Sequence, residues 1–396
     1  VAERFTPVLL ALIAGQICLH SSMAGLRMAA PLQALRQGHA QWAVGLLMGL
    51  FAAAPIVLAL QAGRLADRHG FHRPMHMAVA MTVSGGLLAV LAQWAGGLGL
   101  VLMGAAAALS GAGTNFGLIA IQRTAGRTAR DGTELKQVFS WLGLAPALAN
   151  VVGPVLTGGL IDWGGFSAAY AVLCLLPLLT LLWTRRVPAE PPHLQGPTPA
   201  GQKSWDLLRS PDMRRLLLVN WLVSSSWDVH SFLVPILGHE RGFSAFAIGM
   251  VLGVFASSVA LVRLLIPMLA HRLRESQVLS GAMLGTAAVF AVYPLVHTPW
   301  LMAVCAVFLG VALGSVQPMI MTALHQMTPH SRQGEALALR SMTINFSSAS
   351  MPLIFGLVGT ALGTSALFWL MGAAVGSGSW QAKRLGNHAD AKTAGP

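Results

Sequence analysis

A long apolar stretch recurs 204 residues further along the chain without a gap, and this repeat constrains the fold more than any other feature. Trp42 to Arg73 reads WAVGLLMGLFAAAPIVLALQAGRLADRHGFHR; Phe246 to Arg274 reads FAIGMVLGVFASSVALVRLLIPMLAHRLR. Gly45 aligns with Gly249, Gly49 with Gly253, Phe51 with Phe255, and Arg68 with Arg272. Between Trp42 and Gly70, 9 of 29 positions are identical, and most others exchange one apolar residue for another. Each copy is long enough to cross a bilayer, which takes roughly 20 apolar residues. The chain therefore reads as two copies of one membrane unit.

Composition agrees. Only 10% of the 396 residues are charged and 55% are hydrophobic, where a soluble domain carries about 25% charged residues. The formal charge of +12 suggests a nucleic-acid binder only until it is located. Lys and Arg gather in every second loop, with no basic face interleaved by aromatics, so nucleic acid is not an expected partner. Cys18, Cys174 and Cys305 lie inside apolar segments without metal-ligand spacing and read as packing residues. No cofactor and no metal are expected. The first apolar stretch, 5–30, contains Gln16, His20 and Arg27 and lacks a small-residue cleavage site. It reads as a membrane helix, not a leader.

Twelve spans are predicted, at 5–30, 42–62, 74–94, 98–121, 137–161, 166–184, 212–237, 245–269, 277–297, 300–323, 335–359 and 362–381. With both termini on one side, 20 Lys and Arg fall on that side and 2, Arg36 and Arg241, on the other. Arg27, Arg263 and Arg340 fall within spans. The positive-inside rule then makes both termini cytoplasmic, in a bacterial inner membrane. The stretch 185–211 is rich in proline and polar residues and reads as a linker. The expected domains are a six-helix bundle over 1–184, the linker, a second bundle over 212–384, and a tail over 385–396.

The loop after the second span, GRLADRHGFHR, resembles the signature G-x-L-x-D-R-x-G-R-R of the major facilitator superfamily. Gly63, Leu65, Asp67, Arg68 and Gly70 match it, Phe71 and His72 depart, and Arg73 supplies the late basic residue. The resemblance covers essentially the whole chain. It implies an all-α membrane fold of twelve helices in two pseudo-symmetric halves, and a secondary transporter working by alternating access. It also implies that Asp67 meets the N-terminal end of the eleventh helix, while the loop arginines hold neighbouring helix ends. The second copy has His271 where the first has Asp67, so the gate is expected to be asymmetric. In the fifth span, Gly153, Pro154 and Gly158 resemble the Gly-Pro pattern of the family's proton-coupled exporters. The spacing differs by one residue, and generic helix packing is the competing reading. These residues and Gly63, Asp67, Arg68, Gly70 and Arg73 form the expected gating set.

Candidate binding residues come from spacing. Gln16, His20, Arg27 and Pro31 keep one face of the first span, and Asn220, Ser224, Asp228, Ser231 and Pro235 do so in the seventh. The 204-residue offset pairs Gln16 with Asn220 and His20 with Ser224. Polar residues at mid-membrane are costly and point to a substrate path. Asn115 and Gln122, Trp141, Gln317 and Asn345 are further candidates, with His325 beside them; each is equally suited to bonding between helices. Asp228 is the acidic residue well inside a span, so proton exchange there is expected, with His20 and His230 as alternatives and a fixed pair with Arg27 as the bland reading. Arg263 and Arg340 stay open between facing the cavity, where they would favour an anion, and other roles: snorkelling to the cytoplasmic interface for Arg263, the gate for Arg340.

No P-loop, H-E-x-x-H, H-x-x-x-x-D or Gly-x-Ser-x-Gly appears, and the loops leave no room for a catalytic domain, so an enzyme is not expected. The expectation is a monomeric, proton-coupled exporter of a small organic compound, with an anionic or polar group bound at Arg27. A symporter importing an organic anion, and a non-transporting sensor or lipid-handling protein on the same fold, stay open as alternatives.

Overall fold

The computed structural model describes residues 2–37, 41–189, 204–243 and 245–385. In a bilayer every backbone polar group must find its partner inside the protein, and long helices achieve this within one segment. The described residues form thirteen helices. They are α1 (Ala2–Arg36), α2 (Gln41–His69), α3 (His72–Leu91), α4 (Gly99–Thr128), α5 (Gly132–Leu142), α6 (Leu144–Leu175) and α7 (Leu178–Thr184). The second half gives α8 (Pro211–Glu240), α9 (Ala245–Leu269), α10 (Glu275–Val292), α11 (Pro299–Met327), α12 (Gln333–Leu362) and α13 (Thr364–Arg384).

Among the described residues, eight stretches are long and apolar enough to cross a membrane; one of them, Gly132–Thr184 with 53 residues, is long enough to cross twice. With α8, α12 and α13, the chain is an integral membrane protein of twelve spans. The turn from the fifth to the sixth span of each half is made by a glycine at positive φ, Gly165 at 74° and Gly363 at 80°, where a side chain is strained. Helices overrun the predicted spans at most ends, notably α4, which holds Gln122, Arg123 and Arg127 on its last turns. Arg123 and Lys136 are thus helix residues, not the loop cations that the charge count takes them for.

The chain divides into two compact units. The first comprises 1–129, 142–204 and 328–345; the second comprises 130–141, 205–327 and 346–396. Shifted by 204, the segment 130–141 becomes 334–345, so the same piece of each repeat is grouped with the other repeat.

In the first unit α1 packs on α6, and α3 and α2 on α4. Lipid is as apolar as leucine, so close contact between backbones holds such helices together. A Cβ on Gly153 would stand 2.6 Å from the Ser21 carbonyl of α1, and Gly111 of α4 meets the Phe51 carbonyl of α2 more closely still. Polar contacts fix the register: Ser22 donates to the Leu173 carbonyl at 2.6 Å, and the buried Tyr170 donates to Gln33 Oε1 at 2.7 Å. Gln33 in turn exchanges amide bonds with Gln93 at 3.2 and 2.9 Å.

In the second unit α10 packs on α13 and α11, α9 on α11, and α8 on α13. Its core is aromatic: Tyr293 stacks on Phe368 at 5.2 Å and His230 lies against Phe255 at 4.2 Å. Arg241 closes the end of α10 by donating to the carbonyls of Tyr293 and Pro294, at 3.3 and 2.6 Å. Cys174 and Cys305 are buried and Cys18 half-buried, all as free thiols.

Candidate functional site

The most closely built polar site lies in the first unit, where α2 ends. Asp67 Oδ1 accepts the Gly334 N–H at 2.8 Å and Arg123 Nε at 3.0 Å; Oδ2 accepts the Glu335 N–H at 3.0 Å. Both amides belong to the first turn of α12, where N–H groups lack helical acceptors and the dipole favours an anion. The approach is possible because Gly63 and Gly334 face each other: a Cβ on either would run into the other's carbonyl oxygen. Glu335 continues the cluster, accepting Arg64 Nε at 3.2 Å and Arg332 Nη2 at 2.7 Å. Arg64 also donates to Ser204 at 3.1 Å. Gly70, at φ 68°, turns the chain out of α2.

Sequence reasoning assigned helix-holding to the loop arginines Arg68 and Arg73, but both are exposed. The cations on this junction are Arg64, Arg332 and the fully buried Arg123, 1% exposed. Arg123 was missed because an arginine near a span end looks like a positive-inside anchor. Of the Gly-Pro run, Gly153 makes a close approach to α1, whereas Gly158 does not: its nearest neighbour would be the flexible end of Met28, at 3.7 Å. Pro154 sits within α6 and is half-buried.

Also in the first unit, Gln16, Asn115 and Gln122 are buried, His20 is half-buried and Arg27 is exposed. The row on α1 thus runs from an enclosed carboxamide to an exposed guanidinium. Asn115 and Asn345 are brought together through Ser341, which donates to Asn115 Oδ1 and accepts Asn345 Nδ2 at 3.2 Å. Ser341 was missed, although its place one turn before Asn345 was a usable signal. Arg340 is buried.

In the second unit Asp228 lies on α8. Its carboxylate accepts Ser347 Oγ at 2.8 Å and Ser348 Oγ at 3.4 Å, and Ser347 is 3.0 Å from Ser225 Oγ. None of these serines was predicted. His230, two residues on, points away from Asp228, as residues about 200° apart on a helix must. It is fully buried, with Nδ1 3.4 Å from the Tyr293 hydroxyl. Asn220 is buried and Trp141 is 41% exposed. Arg263 does not snorkel: it is 7% exposed, and Nη2 donates to Gln317 Oε1 at 3.0 Å. His325 packs on Phe139 at 5.1 Å. The side chains of Pro31 and Pro235 lie outside the described residues.

Twelve spans, a repeat, an acid capping a helix end beside a glycine crossing, and polar rows inside spans fit a membrane transporter of the secondary type. The profile of the Major Facilitator Superfamily matches residues 12–273 and, in a second match, 216–384. The chain belongs to this superfamily. It is similar to the enterobactin exporter EntS of Salmonella typhi, 27% identical over 328 residues, covering 79% of this chain and 76% of that protein. Among solved structures it resembles the human organic anion transporter MFSD10, with a TM-score of 0.78 at 17% identity and coverage of 96% and 99%. It also resembles a bacterial homologue of the iron transporter ferroportin, with a TM-score of 0.76 at 17% identity and coverage of 97% and 99%.

Proposed function

We propose that this protein exports a small organic compound carrying an anionic or polar group, and that proton exchange at Asp228 drives the export. The observation that carries the coupling is the carboxylate of α8 held by two hydroxyls of α12. An ionised carboxylate only accepts hydrogen bonds, whereas a protonated one donates from one oxygen. Taking up a proton at Asp228 therefore turns one oxygen from acceptor to donor and weakens the bond it accepts from Ser347 or Ser348, which loosens or re-seats α12 on α8. Export is supported by the relation to EntS, and an anionic cargo by a cationic residue, Arg27, at an exposed position on α1. The Asp67 junction serves as the cytoplasmic gate, with both termini in the cytoplasm of a bacterial cell and the protein in its inner membrane.

Two measurements test this. Melting of the purified protein against enterobactin, organic anions, neutral sugars and cationic lipophiles identifies the class bound, since a ligand of the folded state raises the melting temperature. Stabilisation by anions that vanishes in Arg27→Ala is expected; stabilisation by cationic lipophiles instead would overturn the anion reading. In proteoliposomes, Asp228→Asn is expected to abolish the effect of an imposed pH gradient on flux of the stabilising compound while the folded protein remains. Gradient-driven flux at the unsubstituted rate in that variant would end the coupling assignment.

A further inference from the structure

The second unit contains a junction that inverts the chemistry of the Asp67 site. Where the first copy places a carboxylate on helix N–H groups, the second places donors on helix carbonyls. Ser140 Oγ of α5 donates to the Arg263 carbonyl of α9, and Gln137 Nε2 donates to the Pro267 carbonyl at 3.2 Å. Lys136 Nζ donates to the Leu273 carbonyl and pairs with Glu275 Oε1 at 3.0 Å. The donors at 136, 137 and 140 lie on one side of α5, with Ser140 fully buried and the Lys136 side chain 8% exposed.

Each acceptor has a reason to need an outside donor. Pro267 has no N–H, so the carbonyl four residues earlier, that of Arg263, loses its partner within α9. The carbonyls of Pro267 and Leu273 lie where α9 ends and the chain leaves through a 3₁₀ turn at Ala270–Arg272, beyond which helical donors run out. An ammonium group at that end also suits the helix dipole. His271, which replaces the aspartate of the first copy, is exposed and takes no part in these bonds to α5. The residue whose carbonyl Ser140 holds is also the one whose guanidinium holds Gln317.

We propose that Lys136, Gln137 and Ser140 are positioning residues that hold a hinge at Pro267 closed, and that this latch sets the place of Arg263 against Gln317 during the transport cycle. The proline removes one helical bond and so makes a flexible point; the side chains of α5 replace that bond with one that breaks when α5 moves away. The latch does not depend on what is transported.

Hydrogen exchange of the whole protein in lipid nanodiscs, read by mass spectrometry over residues 264–275, tests this without a substrate. Ser140→Ala is expected to speed exchange there roughly five- to tenfold, the effect of losing one buried hydrogen bond that guards a local opening. Ser140→Thr, which keeps the hydroxyl, is expected to exchange like the unsubstituted protein. Pro267→Ala restores an N–H opposite the Arg263 carbonyl, so in that background Ser140→Ala is expected to lose most of its effect. Lys136→Gln is expected to speed exchange at 270–275 and leave the helix before Pro267 unchanged. Equal effects of Ser140→Ala with and without Pro267 would overturn the proposal. So would a loosening spread evenly over the helices of 205–327, which marks a merely structural contact. If Ser140→Ala does not fold, Lys136→Gln and Pro267→Ala alone still decide: unchanged exchange at 264–275 in both overturns the latch.

Discussion

Asp67→Ala is expected to lower the melting temperature of the purified protein more than any other single replacement of a polar side chain at the α2–α12 junction. The carboxylate satisfies the Gly334 and Glu335 amides and faces Arg123, whose side chain is 1% exposed. Removing one partner of a buried charge pair costs about 3–5 kcal/mol, mostly because the other charge remains desolvated. Asp67→Asn keeps an oxygen for one amide and loses the charge, so it should fall between the two. If the loss comes from the stranded guanidinium, adding Arg123→Leu to Asp67→Ala should recover much of it. A melting temperature unchanged by Asp67→Ala would mean the cluster is ornamental. On binding, the expectation is the reverse: Asp67→Ala should slow cycling with little effect on ligand affinity, and a large affinity loss would move this residue from gate to binding site.

Gly153→Leu is expected to abolish recovery of monodisperse protein. A Cβ at 153 would meet the Ser21 carbonyl at 2.6 Å and both the Ala24 Cβ and the Gly25 amide at 3.0 Å. Two of these three are backbone atoms of α1, which cannot swing aside as a side chain can. Relief requires α1 and α6 to separate, which removes the close packing that holds helices together in lipid. Even a tolerated overpacking costs about 1–3 kcal/mol, and the rest of the leucine side chain adds to that. Gly158→Ala is the control, because among the described residues its near neighbour is the end of Met28, at 3.7 Å. Equal recovery of Gly153→Leu and Gly158→Ala would show that α1 and α6 have more slack than their contact implies.

The architecture was legible because membrane helices advertise themselves twice, by length and by loop charge, and because the second copy repeats the first without a gap. The place of Asp67 was legible only through the resemblance of GRLADRHGFHR to the family's loop signature, which implies that the acid meets the start of the eleventh span. Its partner Arg123 was not, since the same rule that orients the helices also explains away an arginine near a helix end. Lys136 was hidden in the same way. The serines around Asp228 were illegible for a different reason: a hydroxyl in a membrane helix carries no sign of its own. Ser347 gains meaning only from a carboxylate 119 residues away in the chain. Arg263 stayed open between the interior and the interface, because its burial beside Gln317 depends on a pairing of α9 with α11 that spacing within α9 does not reveal.

The grouping of 130–141 with the second repeat, and of 328–345 with the first, bears on what each half holds by itself. Neither repeat, taken as a gene product by itself, encodes every residue that its own compact body uses; each lends the other the opening of its fifth span. Either half expressed alone would therefore lack a piece that its compact body uses. The two exchanged pieces differ in chemistry: one offers its N–H groups to Asp67, the other brings Lys136 to the end of α9.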